Sequence, residues 1–328
     1  MADVDVVGIG NALVDVLSQE SEAFLAAQRL TKGAMQLVDE SRARELYAAM
    51  GPAVEVSGGS AANTVVGVAS FGGRAHYIGK VRDDQLGDVF SHDLRAVGVA
   101  YTTSAATGGP ATGRCLIVVT PDAQRTLTTY LGASVMLGPG DVDKELIERA
   151  TILYLEGYLF DPPEAQRAFH VAAGVAHAAG RRVALTLSDP FCVGRHRAAF
   201  RELVERHVDI LFANEAEIRA LYEAADFDEA LQQVRHHCAV AALTRSERGS
   251  VVVAGADVHV VDARRLGAVV DTTGAGDLYA AGFIFGLSRG RDLATCGRLG
   301  ALAAAEVISH VGARPLTPLA RLAAEVPA

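Results

Sequence analysis

The sequence predicts an α/β protein: a mostly parallel central sheet covered by helices, with a small β-sheet set against it as a lid. Three observations carry this. Short β-branched runs alternate with longer stretches rich in Ala, Leu, Glu and Arg along most of the chain. Two regions interrupt that rhythm with strand-like runs between Gly/Pro turns. The chain has 328 residues, 50% of them hydrophobic, enough for one large domain or two smaller ones.

Taken in order, VDVVGIG at 4–10 reads as a buried first strand. Residues 13–40 form the first interruption, with LVDVLSQ and GAMQLVDE around a short helix. A strand at 75–79 precedes a helix near 85–97. Residues 100–131 form the second interruption, where YTTSAAT, GRCLIVVT and QRTLTTYL alternate like strands. The two interruptions are expected to build a small antiparallel lid on one unit spanning 1–328. Strands at 151–155, 183–187 and 210–213 are each followed by a helix, at 164–179, 195–206 and 215–224. Such alternation implies a parallel sheet with helical cover. A last strand at 267–270 runs into a Gly-rich turn, and a helix begins near Gly276.

Composition narrows the function. A formal net charge of -9 argues against a nucleic-acid or anionic-membrane partner. It leaves room for a phosphate ligand, which a few backbone N–H groups can hold. The N-terminus is acidic where a signal peptide is basic, and no apolar run reaches the length of a bilayer span. A soluble, cytoplasmic protein is expected. Cys115, Cys192, Cys238 and Cys296 are widely spaced and read as reduced, mostly buried thiols.

The chemistry concentrates in AVVDTTGAGDLYAAGFIFGL, 268–287. A strand, a turn of small residues and a helix start make an anion cradle, and Asp277 stands at that same helix terminus. Asp277 as a simple helix cap is the alternative. Capping does not explain the Gly-Ala-Gly before it, which weakens the helix start unless something must approach closely. In NEAEIRAL, Asn214 and Glu217 follow the strand DILFA. A capping box fits N-x-x-E, but beside an anion cradle a magnesium or phosphate role through water fits better. In SGGSAANT, Gly58–Gly59 suits a hinge and Asn63 a sugar diol, while a flexible turn fits equally well. GIGNALVD has Leu13 where a dinucleotide fingerprint needs its third glycine, and Val81 follows Lys80 where a P-loop needs Ser or Thr. Asn11 and Asp15 remain as polar groups for paired hydroxyls.

DTTGAGDLYAAGF, SGGSAAN and NEAE together resemble the ribokinase (PfkB-type) family of carbohydrate and nucleoside kinases, over nearly the whole chain and in the family's order. GNALVD, MQLVDE, GPATGRCLIVVT, AQRTLTTYLGAS, YLEGYLF, LSDPF and DILFANEAE are most similar to the branch that phosphorylates adenosine. The resemblance implies a ribokinase-like three-layer α/β/α fold with a β lid, acting as monomer or homodimer. It implies ATP-dependent phosphorylation of a nucleoside's 5′-hydroxyl, adenosine to AMP first. Asp277 is then the general base, the N–H groups of Gly274, Ala275 and Gly276 form the anion hole, and Arg125 swings with the lid onto the transferred phosphate. Asn11, Asp15, Gly58, Gly59 and Asn63 would hold the ribose. Leu13, Gln36, Leu127, Leu131 and Phe191 would line the base pocket with Tyr158 or Leu159 nearby, ordinary core packing being the alternative for these apolar positions. Asn214, Thr244, Ser246, Gly249 and His310 would border ATP, with Mg2+ near Asn214 and Glu217 through water. In some relatives the SHVGARP segment carries a monovalent cation, which puts K+ among the expectations.

Two positions depart from the family. Ser246 stands where glycine is usual, and Asp189 in LSDPF where an uncharged residue is usual; Asp189 either alters selectivity or caps the turn. The alternatives are a kinase for inosine, guanosine, cytidine or a free sugar such as ribose or fructose. From other classes, an NAD-dependent dehydrogenase or a non-catalytic binding module remains.

Overall fold

A computed structural model describes residues 2–122, 124–324 and 326. Among the described residues, nine strands form the large sheet, in spatial order Asp257–Val261, Ser250–Ala254, Val240–Thr244, Ile210–Asn214, Arg182–Thr186, Ala150–Glu156, Val4–Ile9, Ala75–Ile78 and Ala100–Tyr101. All neighbours pair in parallel except the 240–244, 250–254 and 257–261 strands, which pair antiparallel at one edge. Successive side chains of a strand point to opposite faces, and the core divides accordingly. Val7, Leu153, Leu185, Leu211 and Leu243 join one apolar cluster. Val6, Tyr154, Ala184, Phe212 and Ala242 join the other. Both faces are therefore covered, which is why these strands are nearly continuous apolar runs.

One helical layer holds Pro163–Ala178 and Pro190–His207; the other holds Ser60–Ser70, Ala275–Ser288 and Leu293–Val307. The helix Ala275–Ser288 is apolar almost all round because helices pack on both sides of it. A methyl group on Gly67 would overlap the Ala281 side chain, and one on Gly300 would come within 2.7 Å of the Tyr279 carbonyl.

The second sheet has five strands in the order Met35–Leu37, Arg125–Gly132, Thr112–Val119, Leu13–Gln19 and Ala53–Gly58. Helices Glu22–Ala27 and Glu40–Ala49 cover its outer face with Leu25 and Leu46.

The structure corrects the expected elements at several points. The small sheet is mixed, because 13–19 runs parallel to 112–119 and 35–37 parallel to 125–132. It also takes in the 53–58 strand, which was not expected. Ala100–Tyr101 extends the large sheet instead of the small one. Residues 267–270 form no strand: Val269 is 60% exposed, and Val270 and Asp271 donate N–H bonds to the Ile308 carbonyl. The helix expected at 195–206 starts at Pro190, capped by the Asp189 side chain on Phe191 N and Cys192 N.

Candidate active site

A cleft of about 730 Å³ opens between the inner face of the small sheet and the carboxyl ends of the large-sheet strands. Ligands of open α/β sheets bind in that position. Odd-numbered residues of the small sheet line it, among them Leu13, Asp15, Met35, Leu37, Cys115, Ile117, Leu127, Thr129 and Leu131. The period of two explains the predicted Leu13, Leu127 and Leu131 as well as Met35, Leu37, Cys115 and Ile117, which were not predicted. Gln36 is the exception: its parity turns it to the outer face, where Nε2 donates to Thr128 Oγ1 at 3.5 Å.

Asp277 stands at the third position of the helix Ala275–Ser288, and the cap is Gly274. Gly274 has φ 78°, and a methyl group there would come within 2.8 Å of the Ala313 backbone, so glycine is required on both counts. Gly276 faces open space. The Asp277 carboxylate does not cap its own helix. Ser60 Oγ donates to Oδ1 at 2.6 Å and Asn63 Nδ2 to Oδ2 at 3.0 Å. Ser60 and Asn63 are three apart on one helix and so share a face. Burial pushes Asp277 from its ordinary 3.8 up to about 6, against the pull of these two donors. A carboxylate so held is ionised at neutral pH yet basic enough to take a proton. Of the predicted anion hole, the Ala275 N–H is engaged by the Thr272 carbonyl at 3.2 Å.

Around the diol position, Asn11 is held by Glu156, whose Oε1 accepts from Asn11 N and Nδ2 at 3.2 and 2.7 Å. Glu156 Oε2 accepts from Ala61 N at 2.7 Å, so one buried carboxylate ties the first strand to the helix carrying Ser60 and Asn63. Burial lifts Glu156 to about 7 and Asp15 to about 6; Arg314 and Arg125 restrain the rise at Asp15. Gly58 does not line the cleft; a methyl there would overlap the Asp15 carboxylate. Gly59 does line it, with φ 99° and its Cα against the Asn11 carbonyl.

At the other end, Asn214, Glu217, Thr244, Ser246 and Gly249 line the cleft. The strand 210–214, which ends in Asn214, lies three strand spacings from the first strand, roughly 14 Å away. Asn214 and Glu217 form the full capping box: Glu217 Oε1 and Oε2 accept from Asn214 Nδ2 and N at 2.5 and 3.0 Å. Burial lifts Glu217 to about 7. With both oxygens occupied, the pair suits a metal held through water better than direct ligation. No group of three or more His, Cys, Asp or Glu among the described residues is arranged to hold a metal ion. Ser246 has φ 52°, the left-handed region, which accounts for glycine being usual there.

Besides Gln36 and Gly58, four predicted site residues lie off the cleft for identifiable reasons. Arg125 is buried against the anion loop, its Nη2 2.5 Å from Asp271 Oδ2 and Nη1 donating to Thr273 Oγ1 at 3.3 Å. Leu159 is packed into the core, and Phe191 is 78% exposed on the first helical turn after Asp189. His310 Nε2 pairs with Glu306 Oε2 at 3.3 Å. Glu306 Oε1 accepts from Leu316 N and Thr317 N; Asp271 accepts from Thr273 N and Gly312 N and is ion-paired with Arg125. Every carboxylate oxygen bordering the 309–315 loop is thus taken by a protein donor.

Glu156, Ser60 and Arg314 were not anticipated. Ser60 had a signal, its helical spacing from Asn63. Glu156 had a weaker one, an acid ending an apolar strand. All four cysteines are free and buried. No helix among the described residues is long and apolar enough to cross a membrane.

The chain as a whole is similar to known kinases. The pattern described as pfkB family carbohydrate kinase matches residues 31–320. The solved adenosine kinase from Sinorhizobium meliloti is 54% identical, with a TM-score of 0.94 over 99% of this chain and 100% of that one. A probable sugar kinase from Rhizobium etli CFN 42 is 49% identical, with a TM-score of 0.94 over 99% of both chains. The adenosine kinase of Saccharomyces cerevisiae is 28% identical over 93% of this chain and 94% of its own.

Proposed function

The chain belongs to the pfkB family of carbohydrate kinases, ATP-using phosphotransferases with an alcohol acceptor, and from that premise we propose that its substrate is a nucleoside, adenosine before others, phosphorylated on the ribose 5′-hydroxyl. The observation that carries the substrate is the 54% identity, over the whole chain, with an adenosine kinase. The aliphatic wall of Leu13, Ile117, Leu127 and Leu131 supports it, since such a slot suits a flat base better than a bare sugar.

Asn11, Asp15 and Asn63 hold the ribose hydroxyls in this reading. The 5′-oxygen attacks the γ-phosphorus of ATP in line: the new O–P bond forms as the bond to the β–γ bridging oxygen breaks, and ADP departs. Asp277 accepts the hydroxyl proton, its rotamer fixed by Ser60 and Asn63. The N–H groups of Gly274 and Gly276 bear on the charge of the transferring group, and Ala275 adds a third once Thr272 releases it. Arg125 joins them by exchanging Asp271 for the phosphate. Asn214 and Glu217 would hold magnesium through water, and when bound that ion neutralises charge on the ATP phosphates. Closure of the small sheet keeps water from competing as acceptor.

Steady-state kcat/KM for adenosine, inosine, guanosine, cytidine and ribose tests the proposal, with adenosine expected highest. A higher value for ribose than for any nucleoside would replace it with the sugar reading, which the 49% identity to a probable sugar kinase favours.

A further inference from the structure

Arg314 lies in the C-terminal loop, next to the Ala313 against which Gly274 packs. Its guanidinium is used on the acceptor side of the site. Nη1 donates to Ser57 Oγ at 2.7 Å and Nε donates to Asn63 Oδ1 at 3.3 Å. Nη2 is buried with no hydrogen-bond partner among the described residues. The charged groups around it are Asp15 on the small sheet and Asp93 on the helix Gln85–Ala96, with the Tyr77 hydroxyl beside them.

Asn63 therefore stands between a group that only donates and a group that, ionised, only accepts. Its amide has one orientation that satisfies both. Oδ1 faces Arg314 and Nδ2 faces Asp277. The flipped amide would set oxygen against carboxylate and NH2 against guanidinium.

We propose that Arg314 is a positioning residue of this active site: by donating to Asn63 Oδ1 it fixes the amide so that Nδ2 stays on Asp277, and its charge steadies Asp15 beside the substrate hydroxyls. The proposal rests on the reading of Asp277 as the base. The charge of Asp277 is felt by Asp15, Glu156 and Glu217, from three different elements, and by Tyr154 and Tyr158. None of them donates to it. Ser60 and Asn63 are its side-chain donors among the described residues. Losing the fixed Asn63 donor raises the proton affinity of Asp277, and losing the Arg314 charge raises that of Asp15. Both changes act in the same direction.

The test is the pH profile of kcat/KM for Arg314→Met beside wild type. The acid limb is expected to move up by about one pH unit, so that activity lost at pH 6 is largely regained at pH 9. Combined with Asn63→Ala, the two losses should fall well short of multiplying, because Arg314 acts through Asn63. An unchanged acid limb with an equal loss at every pH, or fully multiplicative losses, would overturn the proposal. Should Arg314→Met not fold, Arg314→Lys gives the same comparison with a smaller displacement. If wild type phosphorylates neither nucleoside nor sugar, the functional reading fails on its own. The Asp277 carboxyl 13C titration, assigned with Asp277→Asn, still decides the inference: an unmoved midpoint in Arg314→Met overturns it, and an upward move supports it.

Discussion

Replacing Asp277 by Asn should separate activity from stability. A general base contributes roughly 10²- to 10⁴-fold, about 3–5 kcal/mol of barrier at 298 K. Turnover in a coupled ADP-release assay should fall by that factor, with adenosine binding by calorimetry largely retained. The stability change runs the other way. Burial has raised Asp277 from its ordinary 3.8 to about 6. The neutral form suits the folded site better, so the folded state gains from protonation. That gain is fully present below pH 3.8 and is lost as pH rises through 6. Above pH 6 the folded protein carries a penalty on the order of 3 kcal/mol. Asn removes the ionisation and gives up one donor contact, since its own NH2 must face Ser60 or Asn63, at about 1 kcal/mol. Asp277→Asn should therefore be more stable than wild type in urea at pH 8, by about 2 kcal/mol, and no more stable at pH 4. Turnover within tenfold of wild type would refute the catalytic assignment. A variant equally destabilised at both pH values would refute the electrostatic account.

Three further predictions follow from the same geometry. Leu127→Ala should lower kcat/KM for adenosine about tenfold, a loss of about 1–2 kcal/mol of apolar contact, while leaving ribose kinetics nearly unchanged; equal losses for both acceptors would remove Leu127 from a base pocket. Ser246→Gly should raise the urea midpoint, because relief of the left-handed serine at about 1–2 kcal/mol exceeds the entropy cost of glycine; a lower midpoint would show that φ 52° is not strained there. Glu217 is raised from 4.5 to about 7, so its stabilising protonation is complete below 4.5 and fades as pH passes 7. Unfolding free energy should fall between pH 5 and pH 8, and Glu217→Gln should flatten that slope; an identical slope in the variant would count against a buried, raised Glu217.

Much of the fold was legible in the sequence because its signals are local. Apolar runs at 4–10, 151–155, 183–187 and 210–213 lie in the parallel strands, and the Gly-rich turn before Asp277 does start a helix. The lid was harder. AVEVSG at 53–58 alternates like a strand but merges into the glycine turn that follows, and of YTTSAAT only Tyr101 joins a strand, at the edge of the large sheet. Both assignments depend on which partner strand is available, which periodicity does not contain.

The sequence alone determined the presence of an acid at a helix terminus made of small residues, and a set of polar groups at strand ends. Tertiary structure decided what those groups do to one another. Asn11 meets Glu156 across 145 positions and Asn63 meets Arg314 across 251, contacts no local pattern encodes. Strand register turned Gln36 outward while Leu127 and Leu131 face the cleft. The Asp189 cap left Phe191 in solvent, and packing drew Leu159 into the core. For Asp277 the deciding fact is that its carboxylate leaves its own helix for Ser60 and Asn63. Burial and those two donors, both set by helix packing at long range, make a common capping residue into a candidate base.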